Sequence, residues 1–424
     1  MSEFKCEVKI VDSIMGSGKT CAAINYINHS VGEKFIVITP YLTEVERYKE
    51  CCKDKKFVTP STKNGKGTKL EGLKWLINRG ANIVSTHALF QRFNNDIIEL
   101  CRVNHYTLIL DEVADVISTY YISDHDLHNL KQNYIDIDEE TGLFTWRKEK
   151  SDYTGEFSQI KDLCELGSLA YYKGSVIMWL FPVRAFNAFR KVFVLTYMFE
   201  AQLQRYYYDF YKLPYQYISV SGDNSTNYNF VNKTSIEHNT FQFQKNIHII
   251  NHEKLNDIGD TENSLSKTWF ERYSNTSIIT QLKNNLSNYF RHIRDDNAKD
   301  VIWTTFKDYK SLLKGKGYTK GFVSLNARAM NDFQDRTSIA YIANRYVNPN
   351  IRNFFSQHNI TIDEDKYALS EMLQFIWRSA IRNGEEIWIY VPSIRMRRLL
   401  EEWINDGEKP EKSSIHRTMF KVNE

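Results

Sequence analysis

The chain has 424 residues, 42% of them hydrophobic and 14% aromatic, enough to fill more than one core of ordinary domain size. Its 25% charged residues nearly cancel to a net charge of +3, which excludes a polycation acting through its overall field and leaves only a local basic groove open. Six cysteines (Cys6, Cys21, Cys51, Cys52, Cys101, Cys164) form no Cys-x-x-Cys pair, the N-terminus lacks an apolar signal core, and no stretch is apolar for long enough to span a membrane, so a soluble protein of a reducing cytoplasm is expected.

From the start, Glu7 to Asp12 reads as a short strand, followed by a Gly-rich turn and a helix from Thr20 to Asn28. The pattern then repeats. Lys34 to Thr39 is a buried strand ended by Pro40, Leu42 to Cys52 a helix, and Asn82–Thr86 and Thr107–Asp111 two further strands. Such alternation predicts a parallel sheet covered by helices on both faces. A long stretch, about 120–189, separates the fourth strand from the next clear one, Lys191 to Thr196, and reads as an insertion. Within it Asn133–Asp138 and Leu143–Arg147 alternate around a turn and predict a β-hairpin. The Ser-, Asn- and Thr-dense stretch from Ser221 to Thr240 reads as linker. A second α/β unit follows, with strands at Asp300–Phe306, Gly321–Leu325 and Glu386–Val391.

The turn after the first strand, Ser13-Ile-Met-Gly-Ser-Gly-Lys-Thr20, has the make-up of a phosphate loop. Binding a polyphosphate takes converging backbone N–H groups, glycines that let the backbone approach, a helix N-terminus, a lysine for the β- and γ-phosphates and a hydroxyl on magnesium. Ser13, Met15, Gly16, Ser17, Gly18, Lys19 and Thr20 supply these for ATP. Ser13 stands where the strict pattern has glycine, a small departure because that position mainly opens the turn. Leu108-Ile-Leu-Asp111-Glu112 is an apolar strand ending in two acids, which suits one carboxylate (Asp111) ordering Mg2+ beside Thr20 and its neighbour (Glu112) positioning the attacking water.

Together these segments resemble the superfamily 2 helicases and translocases, and the resemblance spreads over most of the chain. Asp111-Glu112-Val-Ala114 resembles the DExD/H box, Thr39-Pro40-Tyr41 with Arg47 and then Ser85-Thr86-His87 resemble the elements that contact a single strand, and Leu195-Thr196-Tyr197 resembles the segment coupling hydrolysis to strand movement. Thr304-Thr-Phe306 resembles the motif that opens the second domain, Asn326-Ala-Arg328-Ala-Met-Asn331 a variant seen in origin-binding and phage helicases, and Gln374-Phe-Ile-Trp-Arg378-Ser-Ala-Ile-Arg382 the motif carrying an arginine finger. Three departures stand out. Ala114 replaces the usual fourth acid or histidine of the box, the last arginine falls one residue late so that either Arg378 or Arg382 fits the finger, and few residues separate the opening strand of the second domain from Asn326.

The resemblance implies two RecA-like α/β domains with parallel sheets. The first, residues 1–220, holds the phosphate loop and the acidic pair. Residues 221–275 connect it to a reduced second domain, 276–424. It implies an ATP- and Mg2+-dependent helicase or translocase on DNA, with catalytic roles for Glu112, Lys19, Gln374 and Arg378 or Arg382, and nucleic-acid contacts at Thr39, Arg47, Thr86, Thr304 and Arg328. Replication or recombination proteins are its expected partners, and the abundance of Asn, Lys, Tyr and Phe points to an AT-rich genome, such as a low-GC bacterium or a phage infecting one. Gln374, Arg378 and Arg382, at steps of four, fall on one helix face that is also readable as the solvated side of an amphipathic helix. The hairpin aromatics Phe144 and Trp146 suit a strand-splitting wedge but more simply a structural hairpin. Tyr206 to Tyr208 suit core packing, and the loop from Lys63 to Lys69 suits a mobile basic turn. Two rival functions remain: a P-loop ATPase that remodels or packages a nucleoprotein complex, and a degenerate ATPase serving as an interaction module.

Overall fold

Short apolar runs divided by amphipathic stretches set up two parallel sheets, each with helices packed on it. The computed structural model describes residues 6–63, 67–172, 176–223, 227–232, 241–325 and 332–406. In chain order the first sheet takes β1 (Glu7–Asp12), β2 (Phe35–Thr39), β3 (Phe57–Val58), β4 (Asn82–Thr86) and β5 (Thr107–Asp111). The insertion contributes β6 (Ile117–Tyr120), β7 (Ile135–Ile137), β8 (Phe144–Trp146), β9 (Leu169–Tyr172) and β10 (Val176–Leu180). The chain then re-enters the first sheet as β11 (Lys191–Thr196), β12 (Gln216–Ser221) and β13 (Asn229–Asn232). The second sheet holds β14 (Ile247–Ile249), β15 (Val301–Thr304), β16 (Ser338–Tyr341) and β17 (Ile387–Tyr390).

The first sheet has eight strands in the order β13-β12-β1-β11-β5-β2-β4-β3, all parallel except the edge strand β13. Every residue of β2 is buried, as a strand covered on both faces requires. Helix α1 (Lys19–His29) and helix α2 (Leu42–Cys51) follow β1 and β2. Ala22, Ala23 and Ile27 of α1 pack with Val11, Val37, Ile109 and Leu195 of the strands beneath. Truncating Ile27, Ile109 or Leu195 to alanine costs about 2–5 kcal/mol, because the rigid sheet cannot collapse into the gap. The register aligns the carboxyl ends of three neighbouring strands, with Asp12 of β1 opposite Thr196 of β11 and Leu195 opposite Asp111 of β5. That alignment places the site.

Within the insertion β6, β10 and β9 form an antiparallel sheet and β7 pairs with β8 as the predicted hairpin. Phe144 and Trp146 are buried, Trp146 Nε1 donates to Lys150 O (2.8 Å) and its ring stacks on Tyr134. The structural hairpin therefore prevails over a wedge. The insertion also carries eleven Asp and Glu against six Lys and Arg over residues 117–179, a poor surface for a polyanion. Tyr206, Tyr207 and Tyr208 are fully buried in the first unit's core, as their packing role requires.

The chain divides into two compact units, one comprising Met1–His238 and Arg345–Arg378, the other Asn239–Leu325, Asp332–Asn344 and Ser379–Glu424. Residues 345–378 join the first unit through helices Pro349–Gln357 and Glu364–Ile376. Phe354 and Phe355 share its core, and Asp363 N–H donates to Tyr206 OH (2.9 Å). In the second unit the order β14-β17-β16-β15 is wholly parallel. Trp303, Tyr289, Tyr318 and Tyr390 fill the core there. The stretch read as a linker, 221–275, carries β13, β14 and helix Lys267–Tyr273. The strand expected at Gly321–Leu325 reduces to a single bridge from Phe322 to Trp303.

Candidate nucleotide site

Gly16 (φ +82°) and Gly18 (φ +87°) give the loop after β1 its left-handed turns, a conformation L-residues with a Cβ adopt at a cost. Gly18 is the N-cap of α1, and Ala22 N–H donates to its carbonyl (2.8 Å) to open the helix. The loop base is fixed from β11, since Ser13 N–H donates to Thr196 O (3.1 Å) and the Asp12 carboxylate accepts Met198 N–H (2.8 Å) and Phe199 N–H (3.2 Å). Lys19 Nζ folds back onto the carbonyls of Ser13 and Ile14. The Ser17 Oγ is buried and has no hydrogen-bond partner among the described residues, a donor suited to an anion in the loop. Met15 completes the loop between Ile14 and Gly16.

Thr20 Oγ1 stands 3.3 Å from both carboxylate oxygens of Asp111. Two hard oxygens at that spacing suit adjacent positions around a hexacoordinate Mg2+, whose metal–oxygen bonds are about 2.0–2.1 Å. Burial first, then the charges of Glu44 and Glu112, push the Asp111 carboxyl up to about 7, against a hydrogen bond from Tyr48 and the charge of Arg47. A bound divalent cation would relieve that crowding of negative charge, so the residues present fit the metal.

Glu112 holds φ +99°, unusual for a residue with a side chain and a form of strain that surrounding structure must enforce. Two bonds to β11 do so. Glu112 N–H donates to Leu195 O (3.0 Å), and Thr196 Oγ1 donates to Glu112 Oε1 (2.9 Å). At the departure from the box, Ala114 N–H donates to buried Gln204 Oε1 (2.8 Å).

Other expected contacts lie elsewhere. Thr39 and Thr304 are fully buried, Thr39 Oγ1 donating to Tyr41 O (2.8 Å), and Thr86 is half-buried as the N-cap of helix His87–Phe90. Arg47 faces the nucleotide site, with its guanidinium on Glu44 (3.3 Å) and Cys21 Sγ (3.4 Å). Arg328 and the motif from Asn326 to Asn331 lie outside the described residues, as does Lys66 of the basic loop. The shared helix face of Gln374, Arg378 and Arg382 is not formed. The helix ends at Ile376, Ser379 is extended, and Ala380 N–H donates to Arg336 O (2.8 Å) where the next helical bond would fall. Gln374 is half-buried, Arg378 is buried in the first unit, and Arg382 is exposed on a 3-10 turn of the second.

Sequence reasoning missed two contributors. Tyr48 OH donates to Asp111 Oδ2 (3.2 Å) from a fully buried position on α2, one residue after Arg47. Tyr228 packs its ring against Gly18 so closely that a Cβ there would lie 2.5 Å from it, held by Asn25 Nδ2 donating to Tyr228 O (2.9 Å). Nothing local in the Ser/Asn-rich stretch announces that contact.

The chain is similar over 94% of its length to 94% of the structure of S. tokodaii Xpd4 (10% identity, TM-score 0.47), and over 92% to 66% of the structure of Mss116p bound to ssRNA and AMP-PNP (13% identity, TM-score 0.37). Residues 241–404 match the YonV C-terminal Rossmann-like domain and residues 117–179 the YonV middle domain. The chain is 42% identical over 415 residues to the SPbeta prophage-derived uncharacterized protein YonV of Bacillus subtilis (strain 168), covering 94% of this chain and 99% of that one. The chain therefore belongs to the YonV family.

Proposed function

We propose that the chain is a Mg2+-dependent ATPase that works on nucleic acid, of the helicase or translocase type, encoded by a phage or prophage and acting in the cytoplasm of the host. The observation that carries this reading is the convergence of three neighbouring strand ends. β1 brings the phosphate loop, β5 brings Asp111 against Thr20 (3.3 Å), and β11 brings Thr196 onto Glu112 (2.9 Å).

In this reading the loop amides and Lys19 bind the polyphosphate, and Thr20 and Asp111 hold Mg2+, which neutralises charge on the transferring group. Glu112, fixed by Thr196, orients the attacking water and accepts its proton. From the sequence resemblance, Arg378 or Arg382 is the candidate for transition-state charge and Gln374 a candidate nucleotide contact. The rival of a degenerate ATPase finds less support, because Glu112 sits at a strained φ with its carboxylate held by Thr196 beside the loop.

Turnover measured with single-stranded DNA, RNA and no polynucleotide tests the reading. Stimulation by a polynucleotide, abolished in Lys19→Ala with folding intact, is expected. Lys19→Ala retaining wild-type hydrolysis would refute the site, and hydrolysis indifferent to every polynucleotide would move the function to a protein-remodelling ATPase.

A further inference from the structure

Of the residues expected to touch nucleic acid, Thr39 and Thr304 are fully buried and Thr86 is half-buried, and the half-buried Arg47 is engaged with Glu44, so these residues offer a polyanion little positive charge. Residues 307–320 contain five lysines (Lys307, Lys310, Lys314, Lys316, Lys320) and one acid, Asp308, a local excess of four where the whole chain carries +3. Lys307, Lys314, Lys316 and Lys320 are exposed, and none of the five forms an ion pair among the described residues. Lys310 Nζ lies over the Phe322 ring, 4.4 Å from its centre.

The lysines ride on pinned backbone. Leu313 and Tyr318 are fully buried, Tyr318 OH donates to Leu313 O (2.7 Å), Trp303 Nε1 donates to Tyr318 O (2.9 Å), and Val323 N–H donates to Trp303 O (2.9 Å). The segment leaves the carboxyl end of β15, the side on which parallel α/β sheets take ligands. Beside it the Thr304 and Thr305 hydroxyls are buried without a hydrogen-bond partner among the described residues.

Lysines on an edge strand also deter stray strand pairing. Here Phe322 and Val323 already bridge that edge, and one or two charges suffice for deterrence, which leaves most of the positive charge unexplained. We infer that residues 307–320 form a phosphate-backbone surface for nucleic acid, binding through charge and without reading bases. This deepens the function proposed above and rests on it. Each lysine that meets a phosphate releases condensed counterion, so binding through this surface is steeply salt-dependent, by about 0.7 in the logarithmic slope per contact for a single strand.

The test is fluorescence anisotropy of labelled oligo-dT and oligo-rU over a salt series, with the wild type, Lys314→Glu/Lys316→Glu/Lys320→Glu, and a control of equal charge change, Lys53→Glu/Lys148→Glu/Lys150→Glu. The expected result is a tenfold or greater loss of affinity and a slope lower by about 2 in the first variant alone. Its thermal melting and its ATPase without polynucleotide stay at wild-type values. Equal losses in the two variants, or none in the first, would overturn the surface while leaving the function standing. No binding of either oligomer by the wild type would overturn both, and binding of poly-glutamate as tight as that of oligo-dT would reassign the patch to an acidic protein.

Discussion

Replacing Asp111 with asparagine should separate stability from activity, as expected of a crowded carboxylate assigned to Mg2+ in the proposed site. The folded protein takes up the Asp111 proton at about 7, against an ordinary value of 3.8. Between those values the folded state binds more proton than the unfolded one, so stability falls as pH rises through the window and the penalty is complete above it. A difference of about three pH units at about 1.4 kcal/mol each sets a ceiling of about 4 kcal/mol. Asp111 is only half-buried, and solvent screening at such a position cuts the ceiling to an expected value of about 2 kcal/mol. Asparagine keeps an acceptor for Thr20 and Tyr48 and carries no charge. In EDTA at pH 8, Asp111→Asn should therefore melt about 4–8 °C above the wild type, converging with it below pH 4. Adding Mg2+ and nucleotide at pH 8 should raise the wild type and leave the variant nearly unmoved, and the variant should not hydrolyse ATP. Scanning calorimetry or dye-based melting across pH measures all of this. A variant less stable than the wild type at pH 8, or an advantage that ignores pH, would refute the reasoning.

Gly18→Ala combines a left-handed φ with a Cβ 2.5 Å from the Tyr228 ring, so it should destabilise the first unit by about 1–3 kcal/mol, with part of the loss recovered in a Gly18→Ala/Tyr228→Ala double variant by urea titration. Full additivity would show that the two do not touch. Thr196→Val removes the hydroxyl holding Glu112 and should lower kcat by about tenfold to a hundredfold with the KM for ATP little changed; a change in KM alone would argue against a water-positioning role. Arg378→Ala empties a buried place and should lower thermal stability, while Arg382→Ala, altering an exposed side chain, should leave melting unchanged and lower turnover if it is the finger. Equal, mild effects on turnover would remove both from the chemistry.

The first half of the candidate site was legible in form because local chemistry dictates it: two glycines, a lysine and a threonine follow an apolar strand, and Asp111 ends a strand whose partners are fixed by the same alternation. The strands β1, β4 and β11 run over the residues read from sequence. What stayed hidden depends on long-range pairing. Glu112 reaches Thr196 across the sheet only because β11 lies beside β5, and Tyr228 reaches Gly18 only because β13 folds back on β12. The helix expected to carry Gln374, Arg378 and Arg382 failed for a related reason, since a tertiary bond from Ala380 outcompetes a helical periodicity that continues on paper.

The way the middle domain is spliced in has a further consequence. Its first strand, β6, and its last, β10, pair directly, Ile117 opposite Leu180, so the two ends of the excursion are joined before the chain returns to β11. Closing that loop costs the nucleotide sheet little entropy, because the excursion supplies its own clasp. The middle domain is in effect an excursion with a sealed neck that is also pegged into the first unit's core by Ala170, Tyr172 and Met178, so replacing it with a short turn beyond Ile117 and Leu180 would leave a hole in that core as well as shorten the chain.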